Sequence, residues 1–120
     1  MQNYANYQTH AIKDGTIYAA DGGQAQSFVD TRDIAAVAAR VLTAPGAHAG
    51  KAYTLTGAEA VTGIEAARLI GAAVGRPVQH VSVPTEAAVA TMNQWGMPPF
   101  IVNVMDSLNH IVSAGYAAGV

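Results

Sequence analysis

Apolar residues at Ile34, Val37, Ala38, Val41 and Leu42 follow the i, i+3, i+4, i+7, i+8 spacing that lines one face of a helix. The preceding run, Ser27-Phe-Val-Asp30, is extended in character and ends at a polar corner. There Asp30 or Thr31 can accept a hydrogen bond from an unpaired first-turn amide, and Asp33 adds negative charge where the helix dipole favours it. Strand, corner and helix therefore follow one another within residues 27–42. The helix face needs cover.

Similar patterns divide the rest of the chain. Residues 2–13 read as a helix with Tyr4, Tyr7 and Ile12 spaced across a face, stopped by Asp14-Gly15. Residues 16–20 have strand propensity, Asp21-Gly22-Gly23 signals a turn, and residues 24–29 are extended again, which predicts a loose hairpin. Thr43-Ala-Pro-Gly46 breaks the helical period, residues 47–51 read as a surface loop, and residues 51–56 as a strand with Tyr53 and Leu55 on one face. Thr62-Gly-Ile-Glu65 is a capping box, opening a helix with the inward stripe Ile64, Ala67, Ile70, Gly71 and Val74 and a stop at Gly75. Residues 78–83 read as a third strand with His80 and Ser82 turned away from its apolar side, closed by Pro84. Thr85 is expected to cap a helix through Trp95. Pro98-Pro99 opens a last helix with the stripe Ile101, Met105, Leu108, Ile111 and Val112. This alternation predicts an α/β (α+β) fold, a small mixed sheet with packed helices, in one domain over residues 1–120. A crossover between Thr54 and Val83 permits one parallel strand pair.

Composition narrows the partners. Half the residues are hydrophobic (51%) and 12% are charged, which excludes a disordered tail; Ala and Gly supply much of the apolar count, which favours close helix-to-sheet approach. A net charge of −2 offers no basic footprint for nucleic acid. No apolar run approaches the roughly 20 residues that span a bilayer, and the N-terminus lacks the pattern of a signal peptide, so a soluble, cytoplasmic protein is expected. Without cysteine there is no disulfide, thiolate nucleophile or Cys-ligated zinc.

Candidate chemistry is sparse. No Gly-x-Gly-x-x-Gly or Walker-type loop is present, nor a Gly-x-Ser-x-Gly elbow or a Tyr-x-x-x-Lys pair. His10, His48, His80 and His110 show no metal-ligand spacing, so no metal site is expected. His80, or His110 beside Asp106, can act as an acid or base, but a surface hydrogen bond is the plainer reading. Asp30 and Asp33 are assigned to helix capping rather than to a carboxylate pair. Trp95, Met97, Pro98, Pro99 and Phe100 cluster at a helix break, where they form either a lid over a pocket or a staple between two helices. Tyr4, Tyr7 and Phe28 join such a cavity if the first helix packs near the corner.

Met1-Gln-Asn-Tyr4, the Phe28-Val-Asp-Thr-Arg-Asp-Ile-Ala35 corner, Tyr53-Thr-Leu-Thr-Gly57 and Gly75-Arg-Pro-Val78 resemble, in order and spacing, the C-terminal half of NmrA-like proteins. These are atypical relatives of short-chain dehydrogenases and include NAD(P)H-dependent quinone and triphenylmethane reductases. The resemblance covers essentially the whole chain and is strongest at the corner and at the Tyr-x-Leu-Thr-Gly strand end. It implies the substrate-binding part of a Rossmann-type protein without the nucleotide-binding half. The cofactor of the full-length family would be NAD(P)H, with none held by this chain alone, and the catalytic residues are left unassigned. It also implies Asn3 and Tyr4 as pocket residues, with Trp95, Met97 and Phe100 corresponding loosely to the variable substrate loop; Phe28 is the further candidate from the corner itself. The expected ligand is a small apolar or quinone-like molecule. Apolar faces that a Rossmann half would meet need another cover, so the expected partner is a second copy, giving a homodimer, or the missing half itself. The competing reading is a noncatalytic interaction or sensing module that self-associates.

Overall fold

In the computed structural model, which describes residues 2–119, the chain runs α1 (Gln2–Tyr7), α2 (Thr9–Asp14), β1 (Thr16–Ala19), α3 (Thr31–Thr43), α4 (Pro45–His48), α5 (Gly63–Val74), β2 (Gln79–Ser82), α6 (Thr85–Gln94) and α7 (Pro99–Ser113). The local signals act as their chemistry requires. Asp30 caps α3 by accepting from the Arg32 amide at 2.8 Å, and Thr62 caps α5 by accepting from the Glu65 amide at 3.2 Å. Gly15 and Gly75 take left-handed conformations that end α2 and α5. Pro99 occupies the first turn of α7.

The two strands are parallel, with Ile17 opposite His80 and Tyr18 opposite Val81. They enclose the core between themselves and α5: Ile17, 1% exposed, packs with Ala67 and Val78, and Tyr4, Ala11, Ile12 and Ile70 close the sides. Small residues let α5 approach the sheet. A Cβ at Gly71 would stand 2.9 Å from the Arg76 carbonyl oxygen, and one at Gly63 would overlap the His80 ring. A second contact packs α6 on α7 and buries Met92 and Val102. The end of α7 returns to the β1 turn, where the Ser27 amide donates to the Ala117 carbonyl at 2.8 Å.

Several expectations differ. The first helix is broken at Gln8, giving α1 and α2. Residues 24–29 form no hairpin with β1; Gln26 instead exchanges two 2.9 Å backbone hydrogen bonds with Val61 in an isolated antiparallel bridge. The partner of β2 is therefore β1, not residues 51–56. Those residues are not a strand: among the described residues, 52–60 form no backbone hydrogen bond. The expected loop at 47–51 contains the last turn of α4. Thr85 lies inside α6, whose N-cap is Pro84.

Three apolar stripes are not buried as their spacing suggested. α3 has no buried residue, and Leu42 is 78% exposed. On α5, Ile64 and Val74 face outward while Ala66 and Ala67 face the sheet. On α7, Ile101, Met105, Leu108 and Ile111 are exposed and Val102 is inside. Spacing identifies an apolar face but does not supply a neighbour for it. The phase of β2 also differs, because His80 lies on the buried side with Val78 while Val81 is exposed.

Gly63→Ala forces a methyl group into the His80 ring. It is expected to destabilise the chain by about 1–3 kcal/mol, outweighing a helix-propensity gain of at most about 1 kcal/mol. Denaturant unfolding checks this.

Candidate functional site

The corner before α3 and the start of α1 are linked by a hydrogen bond in which the Thr31 amide donates to the Gln2 side-chain carbonyl at 3.2 Å. This brings Tyr4 and Phe28 together with ring centroids 5.6 Å apart and planes inclined at 55°. Gly57 comes so close to the Phe28 carbonyl that a side chain there would collide with it. The result is a cavity of about 310 Å³ lined by Tyr4, Phe28, Gly57, Val61, Leu69 and Ile70. Its wall is apolar, with Glu59 as the one charged side chain among the described residues of the lining.

Burial pushes the Tyr4 phenol above its ordinary value, and the negative charge of Asp21 adds to the effect. Tyr4 is therefore a neutral hydrogen-bond donor at neutral pH. Asp21 is itself buried directly after β1, where its Oδ1 accepts from the Gly23 amide at 3.0 Å. Its Oδ2 lies 2.8 Å from His80 Nε2, and both side chains are 3% exposed. The separation is short, but neither atom has a directed hydrogen bond, so the contact is a close pairing rather than a linear bond. The sequence reading missed this pair, because Asp21 stood in a turn signal and His80 was assigned to the outer face of its strand. At the corner, the Arg32 guanidinium and amide hold the Asp30 carboxyl well below the usual carboxylate range.

The remaining predicted residues lie elsewhere. Asn3 is exposed on α1 and lines none of the described cavities. Trp95, 75% exposed, borders a separate cleft of about 810 Å³ with Tyr7, His10, Tyr18 and Met92. Met97 is half-buried and Phe100 is 72% exposed, and neither lines a described cavity. Of the six, only Tyr4 and Phe28 are brought together, and Tyr7 lies apart from them in the second cleft. His110 and Asp106 lie 3.6 Å apart at the surface of α7, beyond hydrogen-bond distance, and His80 is buried rather than at the surface, so the expected surface hydrogen bond forms at neither histidine.

A dinucleotide does not fit the residues present. Its pyrophosphate needs a glycine-rich turn leading from a strand into a helix. Asp21-Gly22-Gly23 follows β1 but leads into the extended residues 24–30, and β2 runs through Val83-Pro84 into α6. No metal-binding cluster occurs among the described residues, and no helix is long and apolar enough to cross a membrane.

No family model matches the chain. It is 40% identical over 120 residues to the NAD(P)H azoreductase of Xenophilus azovorans, an alignment covering all of this chain and 42% of that protein. Its fold matches the triphenylmethane reductase of Citrobacter sp. complexed with NADP(H), with a TM-score of 0.80 and 25% identity over 92% of this chain and 39% of that one. It also matches an NADPH-dependent quinone oxidoreductase from Escherichia coli, with a TM-score of 0.85 and 25% identity over 98% and 42% of the two chains. The chain thus spans about two-fifths of the length of the relatives it matches. It is related to NAD(P)H-dependent oxidoreductases. Within that class, its likeness is to the C-terminal region of NmrA-like reductases.

The raised Tyr4 value carries a sign. The fold favours the neutral phenol, so this stabilisation is complete below the unfolded tyrosine value of about 10 and is lost as pH rises through the higher folded value. Denaturant midpoints measured from pH 8 to pH 11.5 should fall, and Tyr4→Phe should reduce the fall.

Proposed function

We propose that this chain is a substrate-binding portion of an NAD(P)H-dependent oxidoreductase, not catalytic alone, and that its Tyr4–Phe28 cavity holds a small, flat, apolar or quinone-like molecule. The observation that carries the reading is the apolar cavity walled by two aromatic rings, with a neutral phenol in its lining. Flat conjugated molecules bind by stacking and apolar contact, and a phenol can donate to a quinone oxygen. The names of the relatives agree in kind, since azo compounds, triphenylmethane dyes and quinones are conjugated molecules with large apolar surfaces. Trp95, Met97 and Phe100 remain proposed as more distant substrate contacts, and Asn3 as a polar one at the end of α1. The cofactor supplies hydride when bound by a nucleotide-binding unit; the residues of this chain receive and orient the acceptor.

A self-associating interaction module is the second reading, favoured by the uncovered apolar faces of α3 and α7. A homodimer would bury them.

Calorimetric titration with a 1,4-naphthoquinone tests the first reading. Saturable 1:1 binding is expected, and Phe28→Ala should weaken it about tenfold, a loss of ~1.4 kcal/mol. Binding unchanged by Phe28→Ala, or absent from the folded chain, would overturn the cavity assignment.

A further inference from the structure

α5 borders a second cavity on the side away from Tyr4 and Phe28. Successive helical residues turn by about 100°, so Ile64, Arg68, Gly71 and Ala72 share one face, while Ala66, Leu69 and Ile70 share the other and line the aromatic cavity. The first face opens on a cavity of about 690 Å³, bounded across from the helix by Arg76, Pro77 and Val78. The two cavities have the helix between them.

The turn after α5 places a second guanidinium at this cavity. Gly75 takes a φ of 73°, and the Arg76 amide donates back to the Gly71 carbonyl at 3.1 Å, a return for which the missing side chain at Gly71 leaves room. Arg76 Nη2 then donates to the Ile12 carbonyl at 3.0 Å, which tethers the guanidinium and leaves its other N–H groups without a partner among the described residues. The Arg68 guanidinium has neither a hydrogen bond nor an ion pair among those residues, and Glu65, three positions before it on the helix, does not pair with it. No carboxylate lines the cavity among the described residues. Two uncompensated positive charges therefore border one cavity of a chain whose net charge is −2.

The remaining wall selects the ligand. Ile64, Ala72, Pro77 and Val78 are aliphatic, and no phenyl, phenol or indole ring lines the cavity among the described residues. Gln79 adds one side-chain amide, and His80, also in the lining, is already engaged by Asp21. Inorganic phosphate and other compact polyanions need polar donors on most sides, which this wall lacks. A guanidinium fork matches a carboxylate through two parallel hydrogen bonds, and exposed Ile64 beside it gains by being covered with hydrocarbon. We propose that this cavity binds an aliphatic monocarboxylate, its carboxylate held by Arg68 and Arg76 and its chain laid along Ile64, Ala72 and Pro77. The site does not depend on what the Tyr4–Phe28 cavity holds.

Calorimetric titration of the chain with octanoate tests the proposal, beside 1-octanol, acetate and inorganic phosphate. Octanoate should bind saturably at 1:1, and octanol, which lacks the charge, and acetate, which lacks the chain, should each bind at least about tenfold more weakly. Arg68→Gln should weaken octanoate about fivefold, Arg68→Lys should lose less, and the double replacement Arg68→Gln with Arg76→Gln should abolish saturable binding. Arg68 is exposed and pairs with nothing, so its replacement should leave the melting temperature unchanged and any loss is a loss of ligand. In amide NMR spectra octanoate should shift residues 68–72 and 76–79 and leave 57–61 in place. Octanoate binding unmoved by Arg68→Gln, octanol binding as tightly, displacement of octanoate by an equal concentration of phosphate, shifts centred on 57–61, or no binding to the folded chain would each overturn the proposal.

Discussion

The fold depends on how closely α5 lies against a sheet of only two strands. Two four-residue strands cannot hold themselves together in water, so they need a helix across one face. α5 serves because Gly63, Ala66, Ala67 and Gly71 present almost no side-chain bulk to the sheet. The approach leaves space for one imidazole above Gly63, and His80 fills it against Asp21. Burying such a pair is costly unless its geometry is good, and this one is not directed as a full hydrogen bond. It therefore contributes position more than strength: it locates the start of α5, and with it the Ala66 to Ile70 wall of the cavity.

The same economy explains what the sequence made legible. Caps and stops were readable because they are local: Asp30, the Thr62–Glu65 box, Gly15, Gly75 and Pro99 act on amides or dihedral angles within a few residues. Pairing was less readable. Asp21-Gly22-Gly23 carries a hairpin signal, yet the strand it follows pairs with residues more than sixty positions away, because a turn's chemistry does not say where the outgoing chain finds a partner. Residues 51–56 make the same point in reverse, with strand propensity and no ladder.

Site residues divide along the same line. Tyr4 and Phe28 come together because the Gln2–Thr31 link and the Gly57 close approach bring three segments to one place. The sequence offered that meeting only on the condition that the first helix packs near the corner, and the resemblance to NmrA-like proteins added Tyr4 as a pocket residue. Trp95, Met97 and Phe100 formed a cluster in sequence, but across the helix end and the proline-led turn Trp95 borders the second cleft while Met97 and Phe100 line none of the described cavities. The His80–Asp21 pair was unreadable for a physical reason: β2 is Gln-His-Val-Ser, a run with too little apolar contrast to reveal which side faces inward.

The hydrogen bond from the Thr31 amide to the Gln2 side chain has a consequence for selectivity. It ties the element carrying one aromatic wall to the corner carrying the other. On the function proposed for the cavity, a guest is judged by thickness before polarity: a flat conjugated plane slides along the rings, whereas a branched or saturated skeleton has to pry them apart.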